Sequence, residues 1–136
     1  MIQLHSQNVT VAQNAVYPLN VVDNNINGNC ALAGNSIQIL ETGVYEITAV
    51  FAVEPATAGV VGAQLNVNGV ARTGTAVSIT GATDTISSFT LIDTISVNDE
   101  YNINGVLRPP VPITIENTGA SDITGSVNVI VKRVSV

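Results

Sequence analysis

A two-residue alternation through residues 43–53 constrains the fold more than any other feature of the chain. Apolar side chains stand at every second position, as at Tyr45, Ile47 and Phe51, and the positions between them are mixed. Successive side chains of a β-strand point to opposite faces, so this pattern predicts a strand with one apolar face. The same period recurs along the chain, and no window has the apolar spacing of an amphipathic helix. The sequence therefore predicts an all-β fold.

Turn signals divide the chain into about 8–10 strands, which predicts an antiparallel two-sheet sandwich. The clearest turn is Asn68-Gly69, because a type I′ hairpin needs positive φ at both central residues. We expect the segment at 111–116 to pair with the final strand, 125–136, across the loop 117–122. The other strands are expected at 9–11, 16–22, 36–40, 43–53, 60–67, 76–79, 85–97 and 101–107.

The chain divides into a short N-terminal arm, residues 1–7, and a single domain, residues 8–136. The arm lacks the basic and apolar regions of a signal peptide. It carries Ile2 and Leu4, which a solvated tail would not need, and we expect it to reach a neighbouring molecule. The alternative is a frayed terminus.

Charge is scarce, and this excludes several partners. Charged residues make up 10% of the chain, against about 25% in an ordinary soluble domain. The net charge is −6 with only four basic residues, which is too few to follow a nucleic-acid backbone. No apolar run is long enough to span a membrane. The weakly charged surface, rich in Asn, Thr and Ser, suits a protein that packs against copies of itself.

The inventory of reactive side chains argues against an enzyme. His5 and Cys30 are the only histidine and cysteine, and a catalytic triad would need His5 to be held rigidly. Cys30 is expected to be a small buried side chain, with an intermolecular disulfide as the alternative. Asp93 shares the phase of the apolar face of its strand, so it must be ion-paired or close to the end of the sheet.

No cofactor is expected. Calcium is the one metal that remains open, because oxygen ligands suffice for it. Ordinary solvated turn acids are the preferred interpretation, since no compact acidic loop motif is present. The acids in or near loops are Asp84, Asp93, Asp99, Glu100 and Asp122.

The final strand is apolar on both faces around Val129, Ile130 and Val131. A strand that is apolar on both faces is covered on both faces. One face would meet the core, and the other is expected to meet a neighbouring subunit.

Four segments, in order, resemble the bacterial C1q/TNF-like jelly roll found in collagen-like exosporium glycoproteins and related spore-appendage proteins. They are a strand with Gly-x-Tyr-x-Ile at 37–47, a hairpin at 65–70, strand–turn–strand at 91–101 and a closing strand at 127–133. The resemblance implies a jelly-roll sandwich that forms homotrimers, with the sheet of the first, central, Tyr101 and final strands toward the three-fold axis. The subunit contacts expected from it are Ile2, Leu4, Val9, Val11, Tyr101, Ile103, Val129, Ile130 and Val131.

The sequence leaves two functions open. The first is a non-enzymatic structural protein whose homotrimers stack head to tail into a spore-surface layer or appendage filament. Its expected location is extracellular or on the spore surface, reached without a signal peptide. The second is the receptor-binding tip of a bacteriophage tail, which would recognise a cell-surface saccharide.

Overall fold

The computed structural model describes residues 1–72, 74–98 and 107–136, and all secondary structure in these ranges is β. Within these ranges eleven strands form two antiparallel sheets, which confirms the predicted all-β jelly-roll sandwich. One sheet has five strands, in the spatial order β2 (Val21–Asn25), β1 (Ile2–Val11), β11 (Ile123–Ser135), β5 (Gly43–Pro55) and β9 (Ser87–Val97). The other contains β3 (Cys30–Ala33), β4 (Ser36–Ile39), β10 (Val111–Asn117), β6 (Gly59–Val67), β7 (Val70–Ala71) and β8 (Val77–Gly81), with β7 and β8 both paired to β6.

The core lies between the two sheets and follows the predicted alternation. In β5 every second residue from Gly43 to Pro55 is buried, so the apolar face faces inward. The aromatic side chains gather in this core. The Phe51 ring stacks on Phe89 with centroids 4.7 Å apart and meets Tyr17 edge-on at 5.1 Å.

The Asn68-Gly69 hairpin is confirmed. It joins β6 to β7, and both residues have positive φ, 54° for Asn68 and 77° for Gly69. These values match the positive φ at both central positions that a type I′ turn requires.

The N-terminal segment departs from the sequence prediction. Residues 2–7 do not project as an arm; they form the first part of β1, which pairs with β11 on one side and β2 on the other. Ile2 and Leu4 are completely buried. The apolar side chains that suggested contact with a neighbouring molecule are therefore used by the chain's own core.

The predicted pairing of the last two strands is also wrong. β10 pairs with β4 and β6 in the six-stranded sheet, whereas β11 lies between β1 and β5 in the other sheet. The connection at 118–122 therefore crosses from one sheet to the other. Asn117 holds this crossing through its carboxamide, which donates to the carbonyls of Val11 and Ser121 and accepts from the Gly119 amide over 3.0 Å.

Candidate functional site

The outward side of the five-stranded sheet, here called the front face, is the surface best suited to an interaction. At its centre Ile130, Thr48 and Ile92 lie side by side on β11, β5 and β9. Val50 lies in the next row, between Asn128 and Thr90. Ile92 is 64% exposed and Val50 is 45% exposed. The centre of this face therefore presents aliphatic side chains and threonines to solvent.

The outward side of the six-stranded sheet, the back face, is different in character. Its central pairs are Gln38 with Pro112, Asn66 with Thr114, and Gln64 with Glu116. Carboxamides and hydroxyls are well solvated in water, whereas exposed Ile and Val are not. This contrast indicates that burying the centre of the front face against another surface would be more favourable than burying the centre of the back face.

Charged groups on the front face border its apolar centre. Lys132 and Glu46 face each other across β11 and β5 with 3.9 Å between Nζ and Oε1, and both are well exposed. His5 on β1 contacts Asp23 on β2, with 2.6 Å between Nδ1 and Oδ2. His5 is thus held in a strand rather than in a mobile arm, and its partner is a carboxylate.

The structure separates the predicted subunit contacts into three groups. The first group is enclosed in the chain's own core, so these side chains are not available to another subunit, and the prediction is corrected: Ile2, Leu4, Val11, Val129 and Val131. The second group, Val9 and Ile130, is partly exposed. The third group, Tyr101 and Ile103, lies outside the described residues.

The phase of β11 explains the correction. Val129 and Val131 point inward, and Ile130 alone among these three points to the front face. The sequence pattern did not single out the other centre residues, Thr48, Val50 and Ile92, because they stand in the mixed register of their strands. One sequence signal could have identified them: each is a β-branched residue at a position that the strand alternation assigns to the outward face.

The only histidine and the only cysteine lie in different sheets, His5 on β1 and Cys30 on β3. Cys30 is a free, buried thiol, as predicted, and burial raises its pKa to about 11. A thiol with this pKa stays protonated at neutral pH, and the thiolate is the nucleophilic form.

The candidate calcium ligands that the structure describes, Asp84, Asp93 and Asp122, do not form a cluster with one another. Among residues 1–72, 74–98 and 107–136, no three His, Cys, Asp or Glu side chains are close enough together to hold a metal ion. Asp93 is paired with Arg72, which confirms the expectation that this in-phase carboxylate needs a partner. Asp122 accepts the backbone N–H of Gln13 over 2.9 Å. Asp99 and Glu100 lie outside the described residues.

Membrane insertion by a helix has no support in the described part of the chain. None of its segments forms a helix of the length and apolarity needed to cross a bilayer.

Comparison with known proteins defines the fold and not the family. No known family profile matches the chain. No curated protein matches it by sequence either.

Solved structures, in contrast, match nearly the whole chain. PRD1 vertex protein P5 shares 15% identity with a TM-score of 0.61, covering 97% of this chain and 94% of that one. Eiger TNF from S. frugiperda shares 12% sequence identity with a TM-score of 0.61, covering 94% of this chain and 90% of that one. The globular domain of zebrafish complement 1qA shares 10% identity with a TM-score of 0.53, covering 95% of this chain and 94% of that one. The fold is thus the TNF/C1q-type jelly roll.

Proposed function

We propose that this chain is a non-enzymatic structural protein that self-assembles as a homotrimer through its front face. The observation that carries the proposal is the contrast between the centres of the two faces. Val50 and Ile92 are exposed and Ile130 is partly exposed on the front face, whereas the central pairs of the back face are mainly carboxamides and hydroxyls. Burying one Val or Ile side chain fully is worth about 1.5–3 kcal/mol. The fold shared with TNF and C1q domains supports the same arrangement.

The positions of the apolar side chains favour a cyclic contact. Ile92 lies on the edge strand β9, whereas Val50 and Ile130 lie on the central strands β5 and β11. A contact that buries all three side chains places the edge strand β9 of one copy against the central strands β5 and β11 of the next copy. Such a heterologous contact closes into a ring when the rotation between copies fits. A closing rotation of one third of a turn gives the trimer.

The decisive experiment measures mass in solution for the full chain and two matched variants. Light scattering at micromolar concentration is expected to give three times the 14.0 kDa chain mass. Ile92→Asp should shift the protein to monomers, because it places a charge in the contact. Thr114→Asp on the back face should leave the trimer intact. A monomeric parent chain, or equal masses for the two variants, contradicts the proposal.

Stacking of trimers into a filament or layer is the finer part of the proposal. The end of the sandwich with the turns at 26–29, 40–42 and 68–69, here called the hairpin end, exposes Ile26, Leu40 and Val70. The opposite end, with turns at 56–58, 82–86 and 118–121, is called the loop end. It exposes the small side chains of Ala56, Ala58, Ala82 and Ala120 together with Ile86, which is 68% exposed. Exposed apolar side chains at both ends support head-to-tail contact between trimers.

Electron microscopy of negatively stained protein tests the stacking separately from the trimer. Leu40→Asp together with Val70→Asp should leave trimers in solution and abolish filaments. Ala58→Ser at the loop end is a mild control and should leave filaments intact. Filaments formed equally well by the double variant would exclude the hairpin end as the contact.

An extracellular or spore-surface location belongs to the same proposal. It is supported by the resemblance to exosporium and spore-appendage proteins and by a charged fraction of only 10%. Immunogold labelling of intact spores from the parent organism tests it. Labelling confined to the cytoplasm of vegetative cells contradicts it.

A second candidate function keeps the trimer and assigns it to a receptor-binding tip that recognises a saccharide. A hollow on the front face, close to the loop end, favours this candidate. Discrete trimers that bind cells and never form filaments would favour it over the structural role.

A further inference from the structure

We propose that a hollow on the front face binds a neutral saccharide. This inference deepens the second candidate function, and it depends neither on trimers nor on filaments. The hollow has a volume of about 320 Å³ and lies between β1, β5 and β11 and the start of β9. It is lined by Gln7, Asn8, Ala52, Ile86, Gly125 and Ser126, and it is called the bulge hollow here.

The backbone of β1 opens the hollow. The pairing of β1 with β11 is regular up to Ser6 and resumes at Val9, so Gln7 and Asn8 form a β-bulge. Asn8 has a φ of 52°, in the left-handed region. A bulge bends its strand and redirects side chains, and bulges are over-represented next to functional sites.

The opposite wall is low because its side chains are small or missing. Gly125 lies where a Cβ would stand 2.1 Å from the carbonyl oxygen of Ala52, so no side chain fits there. Ser126 pairs with Ala52 in the next position. Ser126 and Ala52 face outward, and their small side chains keep the sheet surface low at this point.

The polar groups that line the hollow are free to bind a ligand. Gln7 and Asn8 contribute carboxamides, and Ser126 contributes a hydroxyl. Within the described ranges of the chain, none of these three side chains hydrogen-bonds to another residue. Each group both donates and accepts hydrogen bonds. Ile86, 68% exposed, and Ala52 add an apolar wall beside them.

The chemistry of the lining selects the class of ligand. The lining residues include no cationic side chain, and the net charge of the chain is −6, which disfavours an anion. They include no carboxylate either, which disfavours a cation. A neutral saccharide offers adjacent hydroxyls for the carboxamides and a C–H face for Ile86. Its size also fits, since ligand pockets begin at about 300 Å³.

The bulge hollow lies toward the loop end, one row along β5 beyond Val50. A trimer that covers the front face would bring a neighbouring subunit close to this hollow, so the binding is ascribed to the single chain. A single site of this size is expected to bind a short oligosaccharide only in the millimolar range.

Backbone amide NMR spectra of the isotope-labelled full chain, both as the parent and as the Ile92→Asp variant that is expected to be monomeric, provide the direct test. The probes are maltotriose, mannotriose and chitotriose as neutral sugars, and sialyllactose as an anionic one. At least one neutral sugar is expected to shift the amide signals of Gln7, Asn8, Ala52 and Ser126 at millimolar concentration, and sialyllactose is not. No shift with any neutral sugar, or shifts elsewhere only, overturns the proposal.

Outward-facing variants locate the binding site. Gln7→Ala and Ser126→Ala should each weaken binding about tenfold, the equivalent of one lost hydrogen bond. Ala52→Leu fills the hollow and should abolish binding, whereas Thr114→Leu on the back face should not change it. Thermal melting and amide spectra confirm that each variant folds. A folded Ala52→Leu variant that binds as well as the parent overturns the proposal.

The results for assembly and for binding are separable. If the chain is monomeric and binds the sugar through these residues, the trimer proposal is excluded and the proposed site stands. If the parent chain is a trimer and its monomeric Ile92→Asp variant binds none of the neutral sugars, the site is excluded and the trimer stands.

Discussion

Arg72 ties the edge of one sheet to the edge of the other through Asp93. The guanidinium Nε of Arg72, just after β7, donates to the carboxylate of Asp93 in β9, and Nη2 donates to the carbonyl of Thr94 over 3.1 Å. Asp93 stands in the inward phase of β9, opposite Ile47 and between the buried Leu91 and Ile95. The ion pair therefore lets a carboxylate occupy a position that the strand pattern reserves for an apolar side chain.

The first prediction concerns this pair. Arg72→Met should lower the free energy of unfolding by roughly 1–3 kcal/mol, because Asp93 is largely buried and loses its charged partner. Adding Asp93→Leu should restore most of the loss, since an apolar residue then fills the inward position. Urea denaturation of the single and double variants measures both effects. A double variant no more stable than Arg72→Met would show that Asp93 does not depend on Arg72.

The second prediction concerns the hydroxyl of Tyr17. The ring is buried against Phe51, and within the described part of the chain the hydroxyl has no hydrogen-bond partner. Burial raises the pKa of this phenol above its usual range. Tyr17→Phe should therefore raise the free energy of unfolding by about 1 kcal/mol, because it removes an unsatisfied polar group. A clear loss of stability in thermal melts would mean that the hydroxyl is satisfied.

The third prediction concerns Tyr45, which the strand alternation places in the core with Ile47, Phe51 and Leu65. All four are completely buried, so that placement is confirmed. Tyr45→Ala should cost roughly 3–5 kcal/mol, as large aromatic truncations in cores do. Tyr45→Phe should cost only about 1 kcal/mol, for the 2.9 Å hydrogen bond from the Tyr45 hydroxyl to the carbonyl of Glu41. Equal losses in the two variants would assign the stability to the hydroxyl rather than the ring.

Local alternation was enough to predict the fold class and most strands, because β4, β5, β6 and β9 each carry their own pattern. It was not enough for β1. Ile2, Leu4 and Ser6 do alternate inward. Their main partner strand, however, is β11, at the far end of the chain, and Ile2 pairs with Val131. The sequence of residues 1–7 carries no signal that this segment pairs with β11, a strand more than 100 residues away along the chain.

The error at β10 and β11 has a different physical origin. Two strands joined by a short polar loop satisfy every local rule for a hairpin. In a jelly roll the same short loop crosses between sheets instead, and tertiary packing makes that choice. For the candidate site, the sequence predicted which sheet carries it but not which residues of that sheet face outward. Which of Val129, Ile130 and Val131 faces outward depends on the register with β5, which no local pattern contains.

The fourth prediction is a pH dependence that comes from Cys30. Burial raises the pKa of this thiol from 9.0 to about 11 in the folded chain. Above pH 9 the unfolded chain loses this proton while the folded chain keeps it, so stability falls as pH rises. Between pH 9 and pH 11 the loss should reach roughly 2 kcal/mol. Cys30→Ala removes this contribution.

Urea denaturation of both proteins at pH 8, 9.5 and 11 measures the contribution of the thiol together with its coupling to Tyr45, whose pKa is raised by burial and by the Cys30 charge. The difference in stability between parent and Cys30→Ala should shrink as pH rises. A difference that stays constant across this window would mean that the folded thiol titrates at its ordinary pKa.

The last prediction concerns Gly125, where β11 passes closest to β5. A Cβ at this position would lie 2.1 Å from the carbonyl oxygen of Ala52 and 2.7 Å from Cα of Val53, both fixed backbone atoms. Gly125→Ala must therefore push two paired strands apart, and it should cost about 3 kcal/mol or more, the upper end for an overpacked core, because the colliding atoms belong to the backbone. Gly34→Ala is the matched control. Its φ of 61° is unfavourable for alanine, but no atom lies within 4 Å of the added Cβ. The control should lose only about 1–2 kcal/mol, the cost of a left-handed residue. If Gly125→Ala melts at the same temperature as the parent chain, the two strands do not approach this closely, and the low wall of the bulge hollow does not need glycine.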